Sequence, residues 1–150
     1  MLPDVDVIGF SFGIRYDDMF GHRGFTHSLF FAAVVGALAA WRLSHPSHRP
    51  GSDLHQPASD LHFLALFLWF TAVTASHGLL DALTDGGRGI AFFAPISNHR
   101  YFFPWRPIQV SPIGAGFLSP RGLHVLVSES VWIWLPSAII AFSARVVRRR

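Results

Sequence analysis

Leu61-His62-Phe63-Leu64-Ala65-Leu66-Phe67-Leu68-Trp69-Phe70-Thr71-Ala72-Val73-Thr74-Ala75-Ser76-His77-Gly78-Leu79-Leu80 runs for 20 residues without an Asp, Glu, Lys or Arg. A helix needs about 20 mostly apolar residues to cross a hydrocarbon core ~30 Å thick. The centre of the run, Leu64 to Phe70, has no polar position. A surface helix of a soluble bundle would show a polar face with a 3.6-residue period. Outward from this stretch, Gly24 to Trp41 gives 18 uncharged residues between Arg23 and Arg42, and Gly122 to Ala144 is interrupted only by Glu129. The chain therefore reads as an all-α integral membrane helical bundle with three spans, forming a single membrane-embedded domain over residues 1–150.

Composition agrees. Of 150 residues, 51% are hydrophobic, 15% aromatic and only 14% charged, against roughly 25% charged in an ordinary soluble domain. Disorder is excluded by the apolar content. A net charge of +3 is too small for a basic nucleic-acid groove, so no direct nucleic-acid binding is expected. The absence of Cys removes disulfides, thiolate catalysis and cysteine-based zinc sites. Nine His remain to be explained.

Between the apolar runs, His45-Pro46-Ser47-His48-Arg49-Pro50-Gly51-Ser52 is a polar, Pro-rich connector. Residues 85–121 are rich in Gly and Pro and contain Phe102-Phe103-Pro104-Trp105. Such aromatics predict a long loop at headgroup level. No internal repeat is found. Asp4 and Asp6 stand where a signal peptide would carry basic residues. Arg145, Arg148, Arg149 and Arg150 close the chain, and the positive-inside rule then expects a cytoplasmic C-terminus.

With three spans, the start of the first, the end of the second and the start of the third share one membrane face. His22 and His27 stand at the first, His77 and Asp81 at the second, and Glu129 lies about two turns into the third. Asp4 and Asp6 precede the first on the same side, whereas His45, His48 and His55 belong to the opposite loop. His77 and Asp81 are four residues apart, so a helix presents them on one face. Imidazole nitrogen and carboxylate oxygen suit zinc or another divalent ion. An ionisable residue at membrane depth is costly unless paired, bound or functional.

Each residue also has a plainer reading. His-x-x-x-Asp recurs by chance. His22 and His27 could be interfacial, with Thr26 or Ser28 capping a helix. Asp4 and Asp6 could solvate a terminus, and Glu129 could pair with Arg121 or Arg88. His62 and His124 read as interfacial. The convergence of three His and several carboxylates from four segments favours a metal site over these.

The motifs Leu2-Pro3-Asp4-Val5-Asp6, His22-Arg23-Gly24-Phe25-Thr26-His27-Ser28 and Ser76-His77-x-x-x-Asp81-x-x-Thr84-Asp85-Gly86-Gly87 resemble the YdjM-like family of membrane-bound metal-dependent hydrolases. Pro95-Ile96-Ser97-Asn98-His99-Arg100-Tyr101-Phe102-Phe103 and Ser128-Glu129 look like it too. The likeness covers nearly the whole chain. It implies a bacterial inner-membrane hydrolase with Asp4, Asp6, His22, His27, His77 and Asp81 as metal residues. Because the family is described as LexA-binding, it also implies a LexA-like regulator as a partner. The order of Asp and His residues is loosely similar to zinc-dependent phospholipase C enzymes. The family pattern usually opens with a further apolar helix carrying Thr-His, which this chain is expected to lack, making three spans of four.

The expected activity is hydrolysis of an ester or phosphodiester, lipid-like in character, by water activated on a divalent metal, zinc foremost. Glu129 is the candidate general base and Arg23 the candidate anchor for an anionic group. Membrane lipid is the expected partner. The alternative is a non-catalytic metal-binding or scaffold protein of the membrane that recruits a regulatory partner.

Overall fold

The computed structural model describes residues 2–45, 60–112 and 118–148. Its elements are a 3-10 helix (Pro3–Phe12), a 3-10 turn (Phe25–His27), α1 (Leu29–Ser44), α2 (Asp60–Ala82), α3 (Pro120–Glu129), a π turn (Ser130–Trp134) and α4 (Leu135–Arg148). Among the described residues β-pairing is limited to isolated bridges, so the class is all-α. Most of the expected Pro-rich connector, including His48, lies outside the described residues, as do His55, Arg149 and Arg150. The chain divides into two compact units, Met1–Leu79 with Arg88–Tyr101, and Leu80–Gly87 with Phe102–Arg150.

Two helical stretches are long and apolar enough to cross a membrane. They are Asp60–Ala82 with 23 residues and Pro120–Arg148 with 29, each with a mean hydropathy of 1.7 over its most apolar window. Only 6% of each window is buried, whereas the core helix of a soluble bundle would be mostly enclosed. The first expected span is shorter than the sequence indicates. α1 begins at Leu29 and has 16 residues, or roughly 24 Å at 1.5 Å per residue. Gly24–Ser28 instead form a turn. Ser28 is extended (φ −76°, ψ 155°), and its hydroxyl accepts the Phe31 N–H at 3.0 Å, a helix cap that fixes where α1 starts.

In the first unit α1 packs closely on α2. A Cβ on Gly36 would collide with Thr71 Oγ1 and crowd the Phe67 carbonyl; small residues allow such approach between membrane helices. The segment Arg88–Tyr101 ties the unit together. Ile90 and Tyr101 exchange backbone hydrogen bonds at 2.9 and 3.0 Å, the Leu29 amide donates to Phe92, and the Ala91 amide donates to Arg23.

In the second unit the loop after α2 is ordered by its own backbone. The Asp85 amide donates to Ile108 at 2.8 Å, the Ile108 amide to Leu83 at 3.2 Å, and the Phe103 amide to Ala82 at 3.0 Å. Trp105 meets Trp132 edge to face at 5.1 Å. The π turn has a local cause. Pro136 has no N–H and its ring would strike the carbonyl four residues back, at Trp132. The ladder widens before it, with the Leu135 N–H reaching Ser130.

Candidate metal centre

The 3-10 helix Pro3–Phe12 has three residues per turn, so residues three apart stand in line. Burial follows that period. Leu2, Val5, Ile8 and Ser11 are exposed, while Pro3 is buried and Asp6 and Gly9 are half-buried; Asp4 and Val7 are also half-buried, on the line between. Asp4 and Asp6 thus lie on adjacent lines of one short rod, and both reach the histidines. Pro3 fits the first position of such a helix. Gly13 ends it with φ 78°, its amide donating to Gly9 and Phe10.

Asp6 is the inner carboxylate, its side chain 2% exposed. One oxygen accepts from His22 Nδ1 at 2.7 Å. The other accepts from the Thr26 hydroxyl at 2.6 Å and the Arg23 amide at 3.2 Å, with His27 Nδ1 at 3.3 Å. Arg23 takes φ 63°, rare for a residue with a side chain. Asp6 below and the Ala91 amide above hold it there. Through this kink His22 and His27 turn onto the same carboxylate.

The hydrogen bonds fix the tautomer of His27. The Thr26 hydroxyl has one hydrogen and gives it to Asp6, so its oxygen, 3.1 Å from His27 Nδ1, accepts there. Nδ1 therefore carries a proton, and Nε2 is the nitrogen that His27 turns to Asp4. That nitrogen faces Asp4 Oδ1 at 3.6 Å, and His77 Nε2 faces the same oxygen at 3.2 Å. In a tetrahedral zinc site with bonds of 2.0–2.1 Å, neighbouring ligand atoms stand ~3.3 Å apart. The Asp4 contacts bracket that edge, whereas the 2.7 Å His22–Asp6 contact is of ordinary hydrogen-bond length.

The ligand atoms of Asp4, His27 and His77 lie within 4.8 Å of one another, as do those of Asp6, His22 and His27. Gly78 makes the approach of α2 possible, since a Cβ there would sit 2.9 Å from the His27 carbonyl. Asp81 follows His77 by one turn of the same continuous helix, which extends the His77 face by a carboxylate.

Burial raises the pKa of Asp4, but hydrogen bonds and charge from His27 and His77 outweigh it and hold the group below the usual carboxylate range. Asp6 is likewise raised by burial, and held low by its bonds to His22, His27 and Thr26. Both stay anionic because they face a ring of donors. A divalent cation would favour the same state.

Arg23 is 5% exposed, and its backbone supplies both contacts that shape the histidine turn. Glu129 is half-buried at the end of α3, in the second unit. Thr26 was readable only as a cap, yet it sets the His27 tautomer. Arg100 had no signal of its own beyond its motif. Its guanidinium donates to the carbonyls of His22 at 3.0 Å, Tyr16 at 2.9 Å, Asp18 at 3.3 Å and Gly89 at 3.4 Å, clamping the loop that carries His22. Tyr16 stands edge-on to the His22 ring at 5.4 Å.

Residues 1–150 match the family described as YdjM inner membrane protein. The chain belongs to the YdjM family. It is 40% identical over 141 residues to the inner membrane protein YbcI of Escherichia coli strain K12, covering 93% of this chain and 75% of that relative. No solved structure matches. The YdjM assignment agrees with the two membrane-length helices and places the chain in the inner membrane.

Proposed function

We propose that this YdjM-family chain is a membrane-bound metal-dependent hydrolase acting on an ester or phosphodiester. The observation that carries the reading is the convergence of Asp4, His27 and His77, whose ligand atoms lie within 4.8 Å of one another. His27 Nε2 faces the anionic Asp4 across 3.6 Å, with His77 Nε2 3.2 Å from the same oxygen. One Asp4 oxygen thus stands within 3.6 Å of two imidazole nitrogens, a spacing at which a single divalent cation can take the place of the protons the histidines share with it. Asp4, His27 and His77, with Asp81 one turn beyond His77, form a nitrogen and oxygen donor set suited to zinc.

When bound, the ion supplies Lewis acidity and brings the pKa of a coordinated water to about 7. The chain's own residues do the rest. Asp6 and Thr26 hold the His27 ring and its tautomer, as a carboxylate behind a ligating histidine does. His22 completes the shell around Asp6, and Arg100 fixes the backbone that carries it. Asp4, whose side chain is 37% exposed, is the open edge at which a substrate oxygen arrives.

The deciding measurement is the metal content of the purified full chain beside Asp4→Asn, His77→Ala and Asp81→Asn. About one equivalent of a divalent ion in the wild type, lost in the variants, supports the site. A wild type without stoichiometric metal after incubation with zinc overturns it. Metal-loaded protein then meets a panel of lipid and soluble phosphodiesters and carboxylic esters. Stoichiometric metal without hydrolysis on any of them favours the scaffold reading.

A further inference from the structure

We propose that the outward ridge of the N-terminal 3-10 helix, formed by Leu2, Val5 and Ile8, lies in the lipid interface of the bilayer. These residues share one line of a helix with a three-residue period, and they are 56%, 53% and 55% exposed. That is the exposure of Leu64, Leu68 and Trp69 on α2 in the same unit, at 48%, 56% and 66%, which the acyl chains cover. A rod with two carboxylates on its other lines and an uninterrupted aliphatic ridge outward is patterned for a boundary between lipid and water.

The depth of the ridge is set by the Asp4–His77 contact of 3.2 Å. His77 lies 17 residues along α2 from Asp60, which is roughly 26 Å at 1.5 Å per residue. A hydrocarbon core is ~30 Å thick, so the 3-10 helix is held against the end of the span. Interfacial helices bury an apolar face there and keep their charged side toward water. Here the 3-10 helix keeps Asp4 and Asp6 on the protein side and turns its ridge to the lipid.

This inference stands apart from the metal reading, and its test needs neither metal nor activity. The chain has no Cys, so Leu2→Cys, Val5→Cys and Ile8→Cys can each carry one environment-sensitive fluorophore. Arg15→Cys, at a side chain 85% exposed, is the aqueous reference. Each labelled full chain is placed in phosphatidylethanolamine–phosphatidylglycerol vesicles. Quenching is compared between lipids spin-labelled high on the acyl chain and iodide present on both sides. A ridge seated ~5–10 Å into the boundary is quenched several-fold more by the lipid probe than Arg15→Cys, and correspondingly less by iodide. Iodide quenching equal to that at Arg15→Cys in all three overturns the proposal by showing a face in water. Protection from both quenchers also overturns it, by showing that protein covers the ridge.

Discussion

Asp6 accepts from His22, from the Thr26 hydroxyl and from the Arg23 amide with almost no water contact. Removing its charge leaves those donors facing a weaker acceptor. Breaking one partner of a buried pair costs about 3–5 kcal/mol, so Asp6→Asn should markedly lower the unfolding midpoint in detergent, with or without metal. Asp4 is more exposed, and Asp4→Asn should shift the metal-free midpoint by about 1 kcal/mol or less while abolishing bound metal. Equal destabilisation by both would remove the distinction between an anchoring and a ligating carboxylate. Acid provides a second check. Both groups titrate below their unfolded value of about 3.9. The stability they contribute is therefore complete above that value and lost as pH falls through their lower folded values. Melts should show this component intact at about pH 5 and falling below about pH 4; its loss already at about pH 5 would contradict the assignment.

At the scale of elements, Gly78 is where α2 meets the histidine turn. The conflict for a side chain there is with backbone, the His27 carbonyl 2.9 Å away, so no rotamer change relieves it. Overpacking of this kind costs about 1–3 kcal/mol, and it pushes His77 away from Asp4 as it does so. Gly78→Ala should lose both thermal stability and metal affinity. A variant that binds metal as the wild type does would show the contact to be incidental. The length of α2 and of the final helix was legible because apolar runs set it, broken in the second only by Glu129. The start of α1 was not. Gly24 to Ser28 are as uncharged as the first turns of α1, and they are bent by Asp6, some 20 residues earlier, through Thr26 and Arg23. The Asp4, Asp6, His22, His27 and His77 set could be read from their shared membrane face. The layering of Asp6 behind His27 could not, since it depends on a 3-10 period that Pro3–Phe12 does not announce and on which hydroxyl hydrogen goes where. Pro136 was a visible signal for the π turn.

Across the whole molecule, connectivity ties the side of the site to the side of the tail. If Asp60–Ala82 and Pro120–Arg148 both cross, residues 83–119 join them at one face, and the Asp60 end shares the other face with the C-terminus. The candidate metal site takes His77 from the Ala82 end of α2, which this connectivity expects on the face opposite the tail. Arg145 and Arg148 stand in the last turn of α4. The positive-inside rule gives most weight to charges close to a span end. The tail is then expected in the cytoplasm and the candidate metal site at the outer face of the inner membrane. A green fluorescent protein fused after Arg150 should fluoresce in cells, while an alkaline phosphatase fused there should stay inactive. In intact spheroplasts a membrane-impermeant maleimide should label Arg15→Cys, whose loop also carries His22. An active phosphatase fusion, with Arg15→Cys labelled only after lysis, would reverse the orientation and put the candidate metal site in the cytoplasm. Labelling on the same side as the tail would mean that one of the two long helices does not cross.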